Sequence, residues 1–154
     1  MMDDIESTAD RTMVLQRIIR APRSVVWSVW MNPETLPLWW GPEGFSCRTR
    51  RIELRSGGEW VFDMIAPEGT AFPNHHLYHE VQPEERIRYA LLWGENGPKH
   101  ADAIVAMEEE DGTTKVTLTM IFSTAAEYQT AKGFGAEELG QQTLTKLERL
   151  AASH

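Results

Sequence analysis

Fourteen residues, Asn32 to Phe45, constrain the fold more than any other stretch of this chain. They hold three prolines and two glycines. Proline lacks a backbone donor and fixes φ, and glycine supplies turn conformations, so neither a continuous helix nor a central strand is possible here. Yet the same stretch carries Trp39, Trp40 and Phe45. Such rings bury roughly 150–250 Å² each, area that a mobile surface loop would leave in water. The stretch therefore reads as a short helical turn running into a fixed loop, with its tryptophans turned toward the body of the domain. Two readings stay open: both rings are plain core, or at least one closes a ligand cavity.

With 154 residues, 42% hydrophobic and 25% charged, the chain is long enough to bury one core without staples. Residues 12–154 are expected to form a single domain after a disordered or extended acidic N-terminus, 1–11. Six tryptophans prompt a search for an aromatic-lined interior. A net charge of −8 argues against a nucleic-acid partner, which needs a basic footprint. The basic run Arg48, Arg50, Arg51 and Arg55 does not supply one. Strand alternation would put Arg48 and Arg50 on one face and Arg51 and Arg55 on the other. Cys47 is the single cysteine, so no intrachain disulfide forms and a reducing compartment suits the thiol. Asp3, Asp4, Glu6 and Asp10 give the start the wrong charge for a secretory signal. No apolar run approaches the ~18 residues of a membrane span. A cytoplasmic protein without a membrane partner is expected, as a monomer or a homodimer.

Taken in order, Thr12–Arg20 is rich in β-branched and apolar residues and reads as a strand. Pro22 suits the first turn of a helix, and Val26, Trp27 and Trp30 recur at helical spacing over 22–31. After the Pro/Gly stretch the pattern turns to strands: Ser46–Arg55, Glu59–Ile65, His75–Val81, Arg86–Trp93, His100–Glu109 and Thr114–Phe122. Gly57-Gly58, Pro67-Glu68-Gly69, Asn96-Gly97-Pro98 and Asp111-Gly112 separate them. Connections this short imply an antiparallel meander. Thr124-Ala-Ala-Glu127 has the form of a capping box, opening a long helix to about 152 with a break near Gly133-Phe134-Gly135. Leu144, Leu147 and Ala151 fall on one face. The small residues Gly133, Ala136 and Gly140 continue that stripe, either for close approach to the sheet or to leave room for a ligand.

The motifs Arg17-Ile-Ile-Arg-Ala-Pro22, Asn32-Pro33-Glu34, Trp39-Trp40-Gly41-Pro42, Gly57-Gly58-x-Trp60 and Pro83-Glu-Glu-Arg86-Ile87 resemble the START-like (SRPBCC) superfamily. Within it they are similar to the branch named for homology to the Hsp90 ATPase activator. The resemblance spans about 12–150 and implies an α+β helix-grip fold. In that fold, elements in β-α-α-β6-α order place a strongly curved antiparallel sheet around a long C-terminal helix, with a cavity between them. It also implies a hydrophobic or amphipathic small molecule as partner. Relatives commonly carry glycine where His76 stands and tryptophan where Gln141 stands, so a ligand with a polar group is implied if both face the cavity.

No nucleophile elbow, phosphate-cradling loop or zinc spacing is present. His75 and His79 share a strand face but lie about 13 Å apart at ~3.3 Å per residue, too far to share a metal ion. His76 points to the opposite face. No metal and no cofactor are therefore expected. The leading reading is a non-catalytic binder. Trp39, Trp40, Trp60, Phe62, Tyr78, Trp93 and Phe134 would form the apolar wall, with His76 and Gln141 as polar contacts. A cyclase- or hydrolase-like enzyme would need a carboxylate or histidine of Glu53, Asp63 or Glu80 type beside the cavity. A chaperone-linked interaction module would show an exposed apolar patch and little internal volume.

Overall fold

The computed structural model describes residues 8–153. Seven strands form one antiparallel sheet: β1 (Thr12–Ile19), β2 (Ser46–Ile52), β3 (Glu59–Ile65), β4 (Ala71–Gln82), β5 (Arg86–Trp93), β6 (Lys99–Glu110) and β7 (Thr113–Phe122). Among the described residues four helices after β1 complete it: α1 (Arg23–Trp30), α2 (Leu36–Trp39), α3 (Ala125–Gly133) and α4 (Ala136–Ala152). The strand order is β1-β7-β6-β5-β4-β3-β2. The chain starts at one edge, crosses through α1 and α2 to the other, and meanders back until β7 pairs with β1. The sheet curls around α4 without closing.

Each expected strand is present, Glu59–Ile65 and Arg86–Trp93 with the expected bounds and the others with shifted ends. The first seven residues of the expected unstructured N-terminus lie outside the described residues. Thr8 and Ala9 are helical and Asp10 and Arg11 form a turn instead, and the Phe122 N–H donates to the Arg11 carbonyl at 2.8 Å. β4 begins four residues earlier than expected and runs through Pro73. At that point β4 pairs only with β3, through Asp63 and Pro73, because β5 ends at the Asn74–Trp93 pair. Proline's missing donor therefore faces no partner strand.

Gly57-Gly58 does more than turn the chain. A Cβ on Gly58 would lie 2.1 Å from the Glu53 carbonyl oxygen. Gly57 and Gly58 also exchange backbone hydrogen bonds with Tyr78 at 2.8 and 3.0 Å, tying the turn to β4.

A bulge in β2 overturns the expected split of the arginines. The register shifts between Thr49 and Arg51, which brings Arg48, Arg50 and Arg51 together on the outer face. One extra residue breaks the two-residue period. Arg50 and Arg48 both bind Asp63, at 2.8 and 3.2 Å, and Arg51 binds Glu59 at 3.2 Å and Glu95. The positive charge is grouped after all, and carboxylates hold it. Arg50, then Arg48, keeps the Asp63 carboxyl below its usual range.

The inner face is the core. Met13, Leu15 and Ile19 from β1, Trp60 and Phe62 from β3, and Val116, Leu118 and Phe122 from β7 pack with Leu144, Leu147 and Ala151 of α4. The C-terminal helix is broken where expected: Gly135 takes a left-handed φ of 79° and separates α3 from α4. The capping reading holds on one side, since the Thr124 hydroxyl accepts from the Glu127 N–H at 3.0 Å.

Candidate functional site

The tryptophans divide between core and wall. Trp39 is 1% exposed, and its indole N–H donates to the Val29 carbonyl at 3.2 Å, pinning α2 against α1. Trp30 meets it edge-on with ring centroids 4.8 Å apart. Trp60 is fully buried, stacks on Phe62 at 3.6 Å and donates to the Thr49 hydroxyl at 3.0 Å. Trp40, only half-buried, follows α2 in extended conformation, meets Trp30, Trp39 and Trp60 edge-on with ring centroids 5.7 to 6.3 Å apart, and reaches the edge of a hollow.

That hollow, about 400 Å³, lies between the inner face of the sheet and α4. The loop contributes Trp40, Gly41, Pro42 and Phe45; the sheet contributes Met13 and Leu15, Met64, Phe72 and Asn74, Tyr89, Leu91 and Trp93, and Leu118 and Met120. Ala136, Leu139, Gly140 and Thr143 of α4 close it. A volume in this range, with an apolar wall and few polar groups, has the form of a small-molecule site. A larger depression of about 620 Å³ beside Arg23, Glu85 and Arg86 is bordered by charged side chains instead.

The loop is strapped to α4. Lys146 donates to the carbonyls of Gly41 and Pro42 at 3.0 and 3.3 Å, Gln142 accepts from the Glu43 N–H at 3.1 Å, and Arg149 binds the Glu43 carboxylate. Cys47 packs beneath, with its thiol against the Trp40 carbonyl at 3.4 Å. Burial pushes that thiol up to about 12, so it is packing rather than a nucleophile.

The nine residues expected at the site do not assemble as one set. Trp40 and Trp93 are in the wall. Trp39, Trp60, Phe62 and Tyr78 are in the core behind it. Phe134 is 78% exposed at the helix break. Gln141 lies over β1, its amide 3.3 Å from the Gln16 carbonyl. His76 is 2% exposed and ringed by Trp40, Trp60, Phe62 and Tyr89, with centroids 4.9 to 5.4 Å away. Its Nε2 has no hydrogen-bond partner, and burial lowers its pKa to about 3. His100 stacks on Trp93 at 3.7 Å, also with an unpartnered Nε2, and burial lowers its pKa to about 4.

Sequence reasoning missed most of the wall: Met13 and Leu15, Met64, Phe72, Tyr89, and Leu118 with Met120. The alternation of Met13 with Leu15 and of Leu118 with Met120 carried a signal of inward facing. Nothing local distinguishes inward residues that face the helix from those that face the gap beside it.

Gly140 answers the question of the small-residue stripe at one position. A Cβ there would lie 2.2 Å from the Leu15 Cδ1, so helix and sheet approach closely where they border the hollow. Gly133 stands in open space.

Among the described residues, no group of three His, Cys, Asp or Glu side chains is placed to hold a metal ion. No described helix is long and apolar enough to cross a membrane.

Comparison with known proteins follows the same outline. The family model described as Activator of Hsp90 ATPase homolog 1-like protein matches residues 20–152. A crystal structure of a Nitrosomonas europaea protein is 28% identical, with TM-score 0.85, covering 94% of this chain and 96% of that one. One from Mycobacterium smegmatis is 20% identical, with TM-score 0.84 and coverage of 96% and 95%. An Aeromonas hydrophila protein described as AHSA1-like is 20% identical, with TM-score 0.68 and coverage of 92% and 93%. No curated protein matches the chain.

Proposed function

The chain belongs to the activator of Hsp90 ATPase homolog 1-like family, within the START-like (SRPBCC) superfamily, and on that premise we propose that it binds a hydrophobic or amphipathic small molecule between sheet and α4. The observation that carries this reading is the apolar hollow of about 400 Å³. At ~30 Å³ per molecule of liquid water it has room for roughly a dozen waters, which an apolar wall binds poorly. Displacing them with an apolar body is favourable at about 25 cal/mol per Å² removed from water.

An enzyme on the same cavity has less support. The wall residues include no carboxylate, imidazole, thiol or amine, and Asp63 is on the outer face with its arginines. General acid–base work needs such a group within hydrogen-bond reach. The interaction-module reading called for little internal volume, which the hollow does not match.

Titration with the uncharged dye N-phenyl-1-naphthylamine tests the proposal. Saturable fluorescence enhancement is expected, with binding weakened at least about tenfold, or ~1.4 kcal/mol, by Ala136→Phe. That substitution places a ring at the start of α4, where Ala136 borders the hollow. Dye binding of equal strength in both proteins would refute the location.

A further inference from the structure

We propose that the molecule taken by this hollow is uncharged: an apolar body bearing a hydroxyl, carbonyl or amide, with carboxylates and ammonium compounds of the same shape excluded. This deepens the binding reading above and rests on it.

The wall contains no Asp, Glu, Lys, Arg or His. A bare ion moved into such surroundings loses its hydration without a countercharge, and that penalty far exceeds the gain from apolar burial. Three potential sources of compensating charge lie nearby, and each is unavailable. Lys146 approaches the wall from behind the loop, but it donates to the carbonyls of Gly41 and Pro42. The N-terminus of α4 borders the hollow at Ala136, and a helix start favours anions. Glu137 and Glu138 already occupy that first turn. His76 and His100 stay neutral at physiological pH, since burial lowers both.

What the wall does offer is neutral hydrogen bonding. The Asn74 amide donates to the Phe72 carbonyl at 2.9 Å, which leaves its carbonyl oxygen as an acceptor. Thr143 donates to the Leu139 carbonyl at 3.3 Å within its own helix. The Tyr89 hydroxyl has no partner among the described residues, and burial keeps it protonated by raising its pKa. Asn74 pairs across the sheet with Trp93 while Tyr89 pairs with Tyr78. The two groups are therefore several residues apart along the sheet, and a hydroxyl, carbonyl or amide on an elongated body can meet one of them.

Displacement of N-phenyl-1-naphthylamine by a matched set tests this at pH 7.5: decanol, decanamide, decanoate and decylamine. Decanol and decanamide are expected to displace the dye at least about tenfold more effectively than the two ions. Leu139→Lys, on the exposed rim of the wall, supplies a cation and should improve decanoate relative to decanamide by about fivefold or more. Displacement by decanoate or decylamine on a par with decanamide in the unmodified protein overturns the neutral-ligand proposal and leaves the binding reading standing. Absence of saturable dye binding overturns both.

Discussion

His75 and His76 are adjacent in β4 and face opposite sides of the sheet. His75, on the outer side, is 1% exposed and satisfied at both nitrogens. The Asn96 N–H donates to Nδ1 at 3.0 Å, so Nε2 carries the proton and donates to Glu59 at 2.8 Å. Glu59 in turn binds Arg51, and Arg51 binds Glu95. His76 is as deeply buried, but it touches four aromatic rings and its Nε2 bonds to nothing. The outer side is held by directional polar contacts that tie β2, β3, β4 and the turn after β5 into register. The inner side is held by apolar area, and tolerates an unsatisfied imidazole because the surrounding rings are worth more than the lost hydrogen bond. The hollow opens on the second of these sides, where few polar contacts compete with a ligand.

The two sides should come apart in acid, and this is the largest effect expected. His76 and His100 are lowered to about 3 and about 4 from an ordinary 6.5. The unfolded chain therefore takes up protons first as pH falls, and stability drops from about pH 6.5 downward. Each group contributes up to about 1.4 kcal/mol per pH unit, so the pair should remove about 4 kcal/mol between pH 6.5 and 4.5. The outer carboxylates behave in the opposite range. Glu59, lowered by His75 and then Arg51, and Asp63, lowered by Arg50 and then Arg48, stabilise the fold above their ordinary values. That contribution is lost only as pH falls through their depressed folded values. Denaturant midpoints across this range check the order. A flat profile from pH 6.5 to 4.5 would contradict the burial of both inner imidazoles.

Substitution at the paired histidines should give unequal results at pH 7.5. His75→Leu strands the Asn96 N–H and removes a donor to Glu59, at about 1–3 kcal/mol. His76→Leu replaces an unsatisfied buried polar group with an apolar one, and stability should hold or rise by up to ~1 kcal/mol. It should also roughly halve the acid slope described above. Equal losses from both substitutions, measured by urea unfolding, would erase the distinction between the two sides.

The smallest effect on stability, and the one that sharpens the picture of the hollow, is expected from Gly140→Ala. Alanine improves helix propensity by about 1 kcal/mol, while its Cβ displaces the tip of Leu15. Because Leu15 is itself wall, the displaced methyl group narrows the hollow. Net stability should stay within about 1 kcal/mol of the unmodified protein, and dye affinity should fall severalfold. Unchanged affinity would place the dye away from Leu15.

Element order, the antiparallel meander, the turn-and-loop nature of Asn32–Phe45 and the break before α4 were all legible in the sequence. So were the bounds of Glu59–Ile65 and Arg86–Trp93. These features are local: proline and glycine set backbone conformation where they stand, and a period of two or 3.6 states which residues share a face. The packing of Leu144, Leu147 and Ala151 followed from the same period. Other features were decided only by tertiary contact. The β2 bulge gathers Arg48, Arg50 and Arg51 on one face around Asp63 and its neighbours, and no local pattern announces it. Phe72 joins the wall because β4 runs through Pro73 where β5 has already ended. Tyr78 and Trp60 share the inward direction of Tyr89 but lie in the core behind the wall. Period determines the side of the sheet; whether a side chain meets the helix, another ring or the gap between them depends on packing between residues far apart in the chain.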